Sequence, residues 1–227
     1  MSARQRAKRD GAAQLDNRLS FMDQAFFSSI RAHGRQPIVQ SIWVYDHAVD
    51  LEGLQRFNRN LGHGLLGRRI ERSPLPFARY RWVSHPTPPD IDVVASARPR
   101  AELSDWADER AQLPVAPEWG PNWHIGVLPL SDGATAVSLV SSHCLLDGLG
   151  LGVAVSEAVG GIRRNLHYPP PRARTRLRAV AQDARQTVGG LPDVGQLPPR
   201  VRARCGAPGV EFASLADTSR NGFTVGV

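Results

Sequence analysis

The chain has 227 residues, carries 28 Lys and Arg against 21 Asp and Glu for a net charge of +7, and holds 7 His, 2 Cys, 21 Gly and 18 Pro. That length supports one large or two small domains with a core that needs no metal or disulfide staple; Cys144 and Cys205 form no CxxC and no Cys/His cluster has ligand spacing, which argues against a structural zinc site and a disulfide framework and fits a reducing compartment. No stretch approaches the ~20 apolar residues of a membrane span, and MSARQRAKRD lacks the apolar run of a secretory signal, so the expected address is the cytoplasm.

Residues 1–9 hold four basic groups and no acid, so 1–17 reads as a basic disordered tail. LSFMDQAFFSSIRAHG then predicts a helix: Ser20 can cap it with Asp23 three residues on, Phe26, Phe27 and Ile30 recur at helical spacing, and Gly34 can close it. PIVQSIWVYD, rich in Ile, Val, Trp and Tyr, predicts a strand over 37–46. Asp50 is expected to cap an amphipathic helix with Leu51, Leu54, Phe57 and Leu61 on one face and Gly62 and Gly64 at its end. Short strands are expected at 78–83 and 91–96 around the HPTPPD turn, and a short helix from Ser104 to Gln112. Two strand-like runs flank Ser131-Asp132-Gly133, the signature of an antiparallel hairpin. Beyond SSHCLLDGLG, the residues Leu151, Val155, Ala158, Val159 and Ile162 mark another helix.

From 161 to 204 ten Arg face only Asp183 and Asp193, which leaves −5 for the rest of the chain once the basic tail is set aside. This Pro/Arg/Gly-rich stretch reads as a linker with at most one helix, near 173–188. Its charge suits anionic lipid; nucleic acid is not an expected partner, because no aromatic-studded basic motif accompanies it.

One constellation carries chemistry. The second hairpin strand delivers His143, then three residues, then Asp147-Gly148 at the mouth of a helix. A neutral imidazole can take the proton of an alcohol or amine as it attacks an acyl group. Asp147 can accept backbone amides or pair with an arginine, and Gly148 lets a ligand approach the backbone. The residues fit a second reading equally well: a histidine at a strand end, Asp147 as N-cap and Gly148 as turn chemistry.

The arrangement resembles the acyltransferases of the condensation-domain and chloramphenicol-acetyltransferase-like superfamily, above all the wax ester synthase/diacylglycerol acyltransferases. The likeness runs over about residues 18–165: the F-M-D-Q-A-F-F helix, the PIVQSIWVYD strand, the D-L-E-G-L helix, and P-N-W-H-I-G-V leading through SDG to S-H-C-L-L-D-G. It implies an α/β (α+β) fold with a mixed, mostly antiparallel sheet flanked by helices, equivalent to one half of the two-half enzyme. It implies long-chain acyl transfer from acyl-CoA as co-substrate to diacylglycerol or a fatty alcohol, with no metal and no permanently bound cofactor. His143 would be the general base, Asp147 the structural carboxylate and Gly148 the turn glycine. Ser142 stands where these families usually carry a first histidine. Adjacent strand residues point to opposite faces, so that departure leaves His143 in place.

These enzymes pair two similar halves around a tunnel. Residues 18–165 would be the N-terminal half, and 166–227 the linker and start of a missing C-terminal half. The resemblance therefore implies a C-terminal-half partner or a homodimer; charge placement alone suggests peripheral contact with a membrane or lipid droplet through Arg172, Arg174, Arg176 and Arg178. The alternative is a catalytically silent half-domain acting as a binding or assembly module.

Other chemistries fit less well. Gly148-x-Gly150-x-Gly152 has Val153 where a dinucleotide-binding turn needs its third glycine. No G-x-S-x-G elbow occurs for a serine hydrolase. Cys144 reads as a small apolar filler rather than a nucleophile. His33, His47, His63, His85, His124 and His167 read as surface or turn residues, and Trp43, Trp82 and Trp123 as core. Arg163 and Arg164 most simply complement a helix dipole, with contact to a phosphate of coenzyme A as the lesser reading.

Overall fold

The computed structural model describes residues 16–189 except Arg35 and Phe77. The expected basic tail up to residue 15, and the expected crossing segment with Cys205 at 190–227, lie outside the described residues.

Helix α1 spans Phe21–His33. Ser20 Oγ accepts the Asp23 amide at 3.0 Å, and Gly34 closes the helix at φ 70°, a left-handed conformation that only a residue without Cβ adopts freely. Phe27 and Ile30 turn inward, while Phe21, Met22 and Phe26 stay exposed. β1 (Ile38–Tyr45) and α2 (Leu51–Leu61) follow. Asp50 holds the N-cap position of α2 without a side-chain capping bond; its carboxylate sits 3.5 Å from Arg56. Leu54 and Phe57 pack on the core and Leu61 is buried, but Leu51, expected on the same face, is exposed in the first turn.

β2 (Arg68–Glu71) and β3 (Arg81–Ser84) form a separate antiparallel pair. β3 answers the strand expected at 78–83. β2 was not expected: Arg-Arg-Ile-Glu offers one apolar residue, and its extended form comes from pairing, Ile70 opposite Trp82. β4 (Ile91–Val93), α3 (Leu103–Ala111), β5 (Trp123–Pro129) and β6 (Thr135–Ser142) come next. Gly133, at φ 89°, closes the β5–β6 turn, and Asp132 Oδ1 accepts the Ala134 amide at 3.1 Å.

The main sheet runs β1-β6-β5-β4. Its pairs are antiparallel except β4–β5, so the sheet is mixed and mostly antiparallel, as expected. On one face Val137 and Leu139 join Trp123, Ile125, Phe27, Leu61 and Leu151 in the principal core. On the other, Ala136, Leu128 and Leu130 close on Trp106 of α3. β6 therefore has helices over both faces and a strand on both edges.

α4 covers Gly148–Val159. Leu151, Ala154 and Ala158 are buried, but Val159 and Ile162 are exposed. The helix stops before Gly160 and Gly161, the latter at φ 65°, so the last turn of the expected apolar face is never built.

The chain then returns to the sheet side. Ser84 donates its amide to Pro169 O at 2.8 Å, and α5 (Arg176–Gly189) follows. Asp183 on α5 is buried and accepts from Ser73 Oγ at 2.6 Å, Arg81 Nη2 at 2.7 Å and Arg174 Nη1 at 2.9 Å. Asn17 adds a second tie, bonding the Trp82 backbone through its own carbonyl and its side-chain amide. The compact unit runs through Thr187.

Burial alone would raise the Asp183 carboxyl, but the bonds from Ser73, Arg81 and Arg174 outweigh it and hold it below the ordinary carboxylate value. A lowered folded value means that the carboxylate adds stability above the ordinary range and loses it as pH falls through the folded value. Asp183→Ala leaves Arg81 uncompensated in the interior and is expected to cost about 3–5 kcal/mol by denaturant unfolding at neutral pH. A loss under about 1 kcal/mol would mean that α5 is not anchored by this carboxylate.

Candidate active site

Every residue of β6 is buried. Its last residue, Ser142, pairs with Ile38 of β1, and the residue before it, Ser141, with Trp123 of β5. Alternation sends Val137 and Leu139 to the face shared with α1, α2 and α4, and carries His143 to that face too. The histidine is the first residue past the strand, in a turn rather than on the strand itself. Its amide donates to Pro37 O at 2.9 Å, and its ring meets Phe26 of α1 edge-on, centroids 5.7 Å apart.

The turn is held from several sides. Ser142 is buried, and its Oγ accepts the Cys144 amide at 3.3 Å while its carbonyl accepts the Leu145 amide at 3.0 Å. Leu145 and Leu146 go into the core. Asn122 Nδ2 donates to Leu66 O and Arg68 O at 2.6 and 2.8 Å, fixing the neighbouring strand ends. Arg68 Nη2 donates to Leu145 O at 2.6 Å, and its guanidinium lies 3.9 Å from the Trp82 ring centre. Two arginines side by side in GRRIE gave no sign in the sequence that one of them supports the HCLLDG turn.

Asp147 Oδ1 accepts the Gly150 amide at 2.7 Å and is the N-cap of α4; among the described residues no arginine pairs with it. Gly148 opens α4 instead of forming the turn. A Cβ there would meet nothing within 4 Å, so the fold has no need of a glycine at this point and leaves open space in front of it.

The ring nitrogens of His33, His47 and His124 bond backbone carbonyls. Those of His143 make no such bond among the described residues. Phe21, Met22 and Phe26 on α1, and Leu149 and Val153 on α4, are exposed, and of these Phe26 meets the His143 ring. Trp123 and Trp82 are buried and Trp43 packs on the core, as the sequence implied. Burial pushes the Cys144 thiol up to about 11, which removes the thiolate a nucleophile needs. Arg164 does not serve the helix dipole alone, since its Nε donates to Glu157 Oε1 at 2.9 Å.

Among the described residues no group of three or more His, Cys, Asp and Glu can hold a metal ion, and no helix is long and apolar enough to cross a membrane.

No protein-family model and no curated protein matches the chain. Solved structures do. The starter condensation domain of the rhizomide synthetase RzmA matches at a TM-score of 0.53 and 18% identity over 75% of this chain and 43% of that one. The first condensation domain of the CDA synthetase matches at 0.52 and 15%, over 74% and 45%, and the X-domain from teicoplanin biosynthesis at 0.54 and 15%, over 81% and 41%. The fold is that of about half of a condensation domain. The chain spans less than half the length of the domains it matches.

Proposed function

We propose that the chain is the N-terminal half of an O-acyltransferase of the wax ester synthase/diacylglycerol acyltransferase type, with His143 as general base. The observation that carries this reading is the presentation of His143: first residue beyond a strand buried on both faces, ring nitrogens unbonded among the described residues, ring against Phe26, with open space in front of Gly148. A related starter condensation domain has been solved in complex with C8-CoA, which supports an acyl-CoA donor here. His143 takes the hydroxyl proton of the alcohol as its oxygen bonds the thioester carbonyl carbon. The tetrahedral adduct then breaks its carbon–sulfur bond, and the imidazolium returns the proton to the departing thiolate, giving ester and free CoA.

The exposed apolar faces of α1 and α4 support the need for a cover, supplied by a C-terminal half or a second copy. Uncovered, the base works in bulk water without the orientation and desolvation of a closed site. A silent binding module remains the second reading, favoured by the short coverage of the matched domains. Free thiol released from palmitoyl-CoA with hexadecanol or diacylglycerol present decides between them. Acceptor-dependent release, lowered roughly 10²–10⁴-fold in His143→Ala, is expected; release that is equal in the two proteins refutes the base assignment, and none from folded wild-type chain makes it a silent half.

Membrane contact, if the acceptor is a lipid, would run through Arg172, Arg176 and Arg178, which are exposed beside the exposed Leu177; Arg174 is engaged by Asp183. Replacing those three with Gln is expected to weaken sedimentation with phosphatidylserine vesicles by roughly a hundredfold, at about 1 kcal/mol for each lost charge. Unchanged sedimentation would rule this surface out.

A further inference from the structure

We propose that the cavity between the 62–67 turn and the 163–168 segment binds a diphosphate group; resting on the acyltransferase reading, we assign to it the diphosphate of coenzyme A. The cavity holds about 290 Å³. Arg163, Arg164, His63 and His167 line it, and no carboxylate does. Two guanidiniums and two imidazoles around one space, all able to donate N–H bonds and with no acid among them, form the donor set of an oxyanion site.

The four groups reach the cavity from two segments that the fold brings together. Arg164 donates from its Nε to Glu157 Oε1 at 2.9 Å; Glu157 does not line the cavity. Arg163 is exposed and has no ion-pair partner among the described residues. His167 adopts φ 52°, left-handed backbone that is uncommon outside glycine, and its ring stands on the cavity wall.

The opposite wall is nearly bare. Gly62-His63-Gly64-Leu65-Leu66-Gly67 offers no side chain at three of its six positions, so an anion can approach the backbone closely. The fold itself requires two of these glycines. A Cβ on Gly67 would fall 1.8 Å from the Gly62 carbonyl oxygen, and one on Gly62 would fall 2.6 Å from Pro86 O. At Gly64 the nearest atom to such a Cβ is Glu157 Oε2, an ordinary 3.5 Å away, so the carboxylate paired with Arg164 also stands near this wall. The spacing is that of a dinucleotide-binding turn, but it runs from helix to strand and not from strand to helix, so that site is excluded and the cations carry the assignment.

Position supports coenzyme A in particular. The cavity lies beyond the C-terminal end of α4, whose 12 residues put it about 18 Å from Gly148. An extended pantetheine arm covers a span of that order. The thioester carbon can then reach His143 at one end of α4 while the diphosphate sits at the other.

The test is titration calorimetry of the full chain at low salt with inorganic pyrophosphate, ADP and coenzyme A, using wild type, Arg163→Ala, Arg163→Ala/His63→Ala and His143→Ala. All three ligands are expected to bind wild type. Arg163→Ala should weaken each by roughly tenfold or more, the double variant further, and thermal unfolding of Arg163→Ala should be unchanged because its side chain is exposed. Coenzyme A binding tighter than ADP supports the cavity and its assigned source; equal binding supports the cavity and overturns the coenzyme A assignment. Failure of pyrophosphate to bind, or equal affinities in wild type and the Arg163 variants, overturns the site. His143→Ala should bind as wild type does. Loss of the pocket with His143-dependent transfer intact would remove this inference alone, whereas binding intact without transfer would remove the acyltransferase reading alone.

Discussion

The placement of one strand governs the rest of the domain. β6 is buried along its whole length, paired to β1 on one edge and β5 on the other, with the principal core on one face and Trp106 on the other. A slip of one residue would exchange its two faces and put Ser138 where Leu139 packs, so the register is strongly specified. The residue that follows therefore emerges at a fixed point. His143 is that residue, and Pro37, Ser142 and Arg68 tie down the backbone around it. The helices on either side of the turn are drawn in by the same core: Phe27 of α1 and Leu151 of α4 pack on it. The site is thus a by-product of core packing, with chemistry added at the strand's end.

The same packing leaves a consequence on the outside. Phe21, Met22, Phe26, Leu149 and Val153 are exposed, with the Arg79 guanidinium 4.7 Å from the Phe21 ring centre and the His143 ring against Phe26. Scattered apolar residues on a surface are ordinary, and what sets this group apart is that Phe26 stands against the His143 ring. Covering these residues would gain roughly 25 cal/mol for each Å² removed from water. The half-length match to condensation domains fits this picture.

Much of this was legible in the residues. Ser20, Asp23 and Gly34 bracket α1 through local bonds, Ser131-Asp132-Gly133 closes the hairpin, and His143, Asp147 and Gly148 lie together because they are neighbours in sequence. Asp147 as the cap of α4 belonged to the plainer of the two readings of the motif. What was not legible depends on distant partners. β2 is a strand because β3 lies beside it; Arg68 matters because Leu145, 77 residues away, accepts its hydrogen bond. Asp183 appeared as one of two acids in an arginine-rich linker, and its role emerges only when α5 folds back on Arg81, 102 residues distant. The exposure of Val159 and Ile162 follows from two glycines ending α4 a turn early, a local signal that apolar periodicity outweighed.

The central claim is that an acyl thioester seats against His143. Carbethoxylation of the individual histidines by diethyl pyrocarbonate, read by mass spectrometry with and without octanoyl-CoA, tests it most directly. Octanoyl-CoA should protect His143 while the exposed His33 and His47 react at unchanged rates. Equal modification of His143 with and without the thioester would contradict the account.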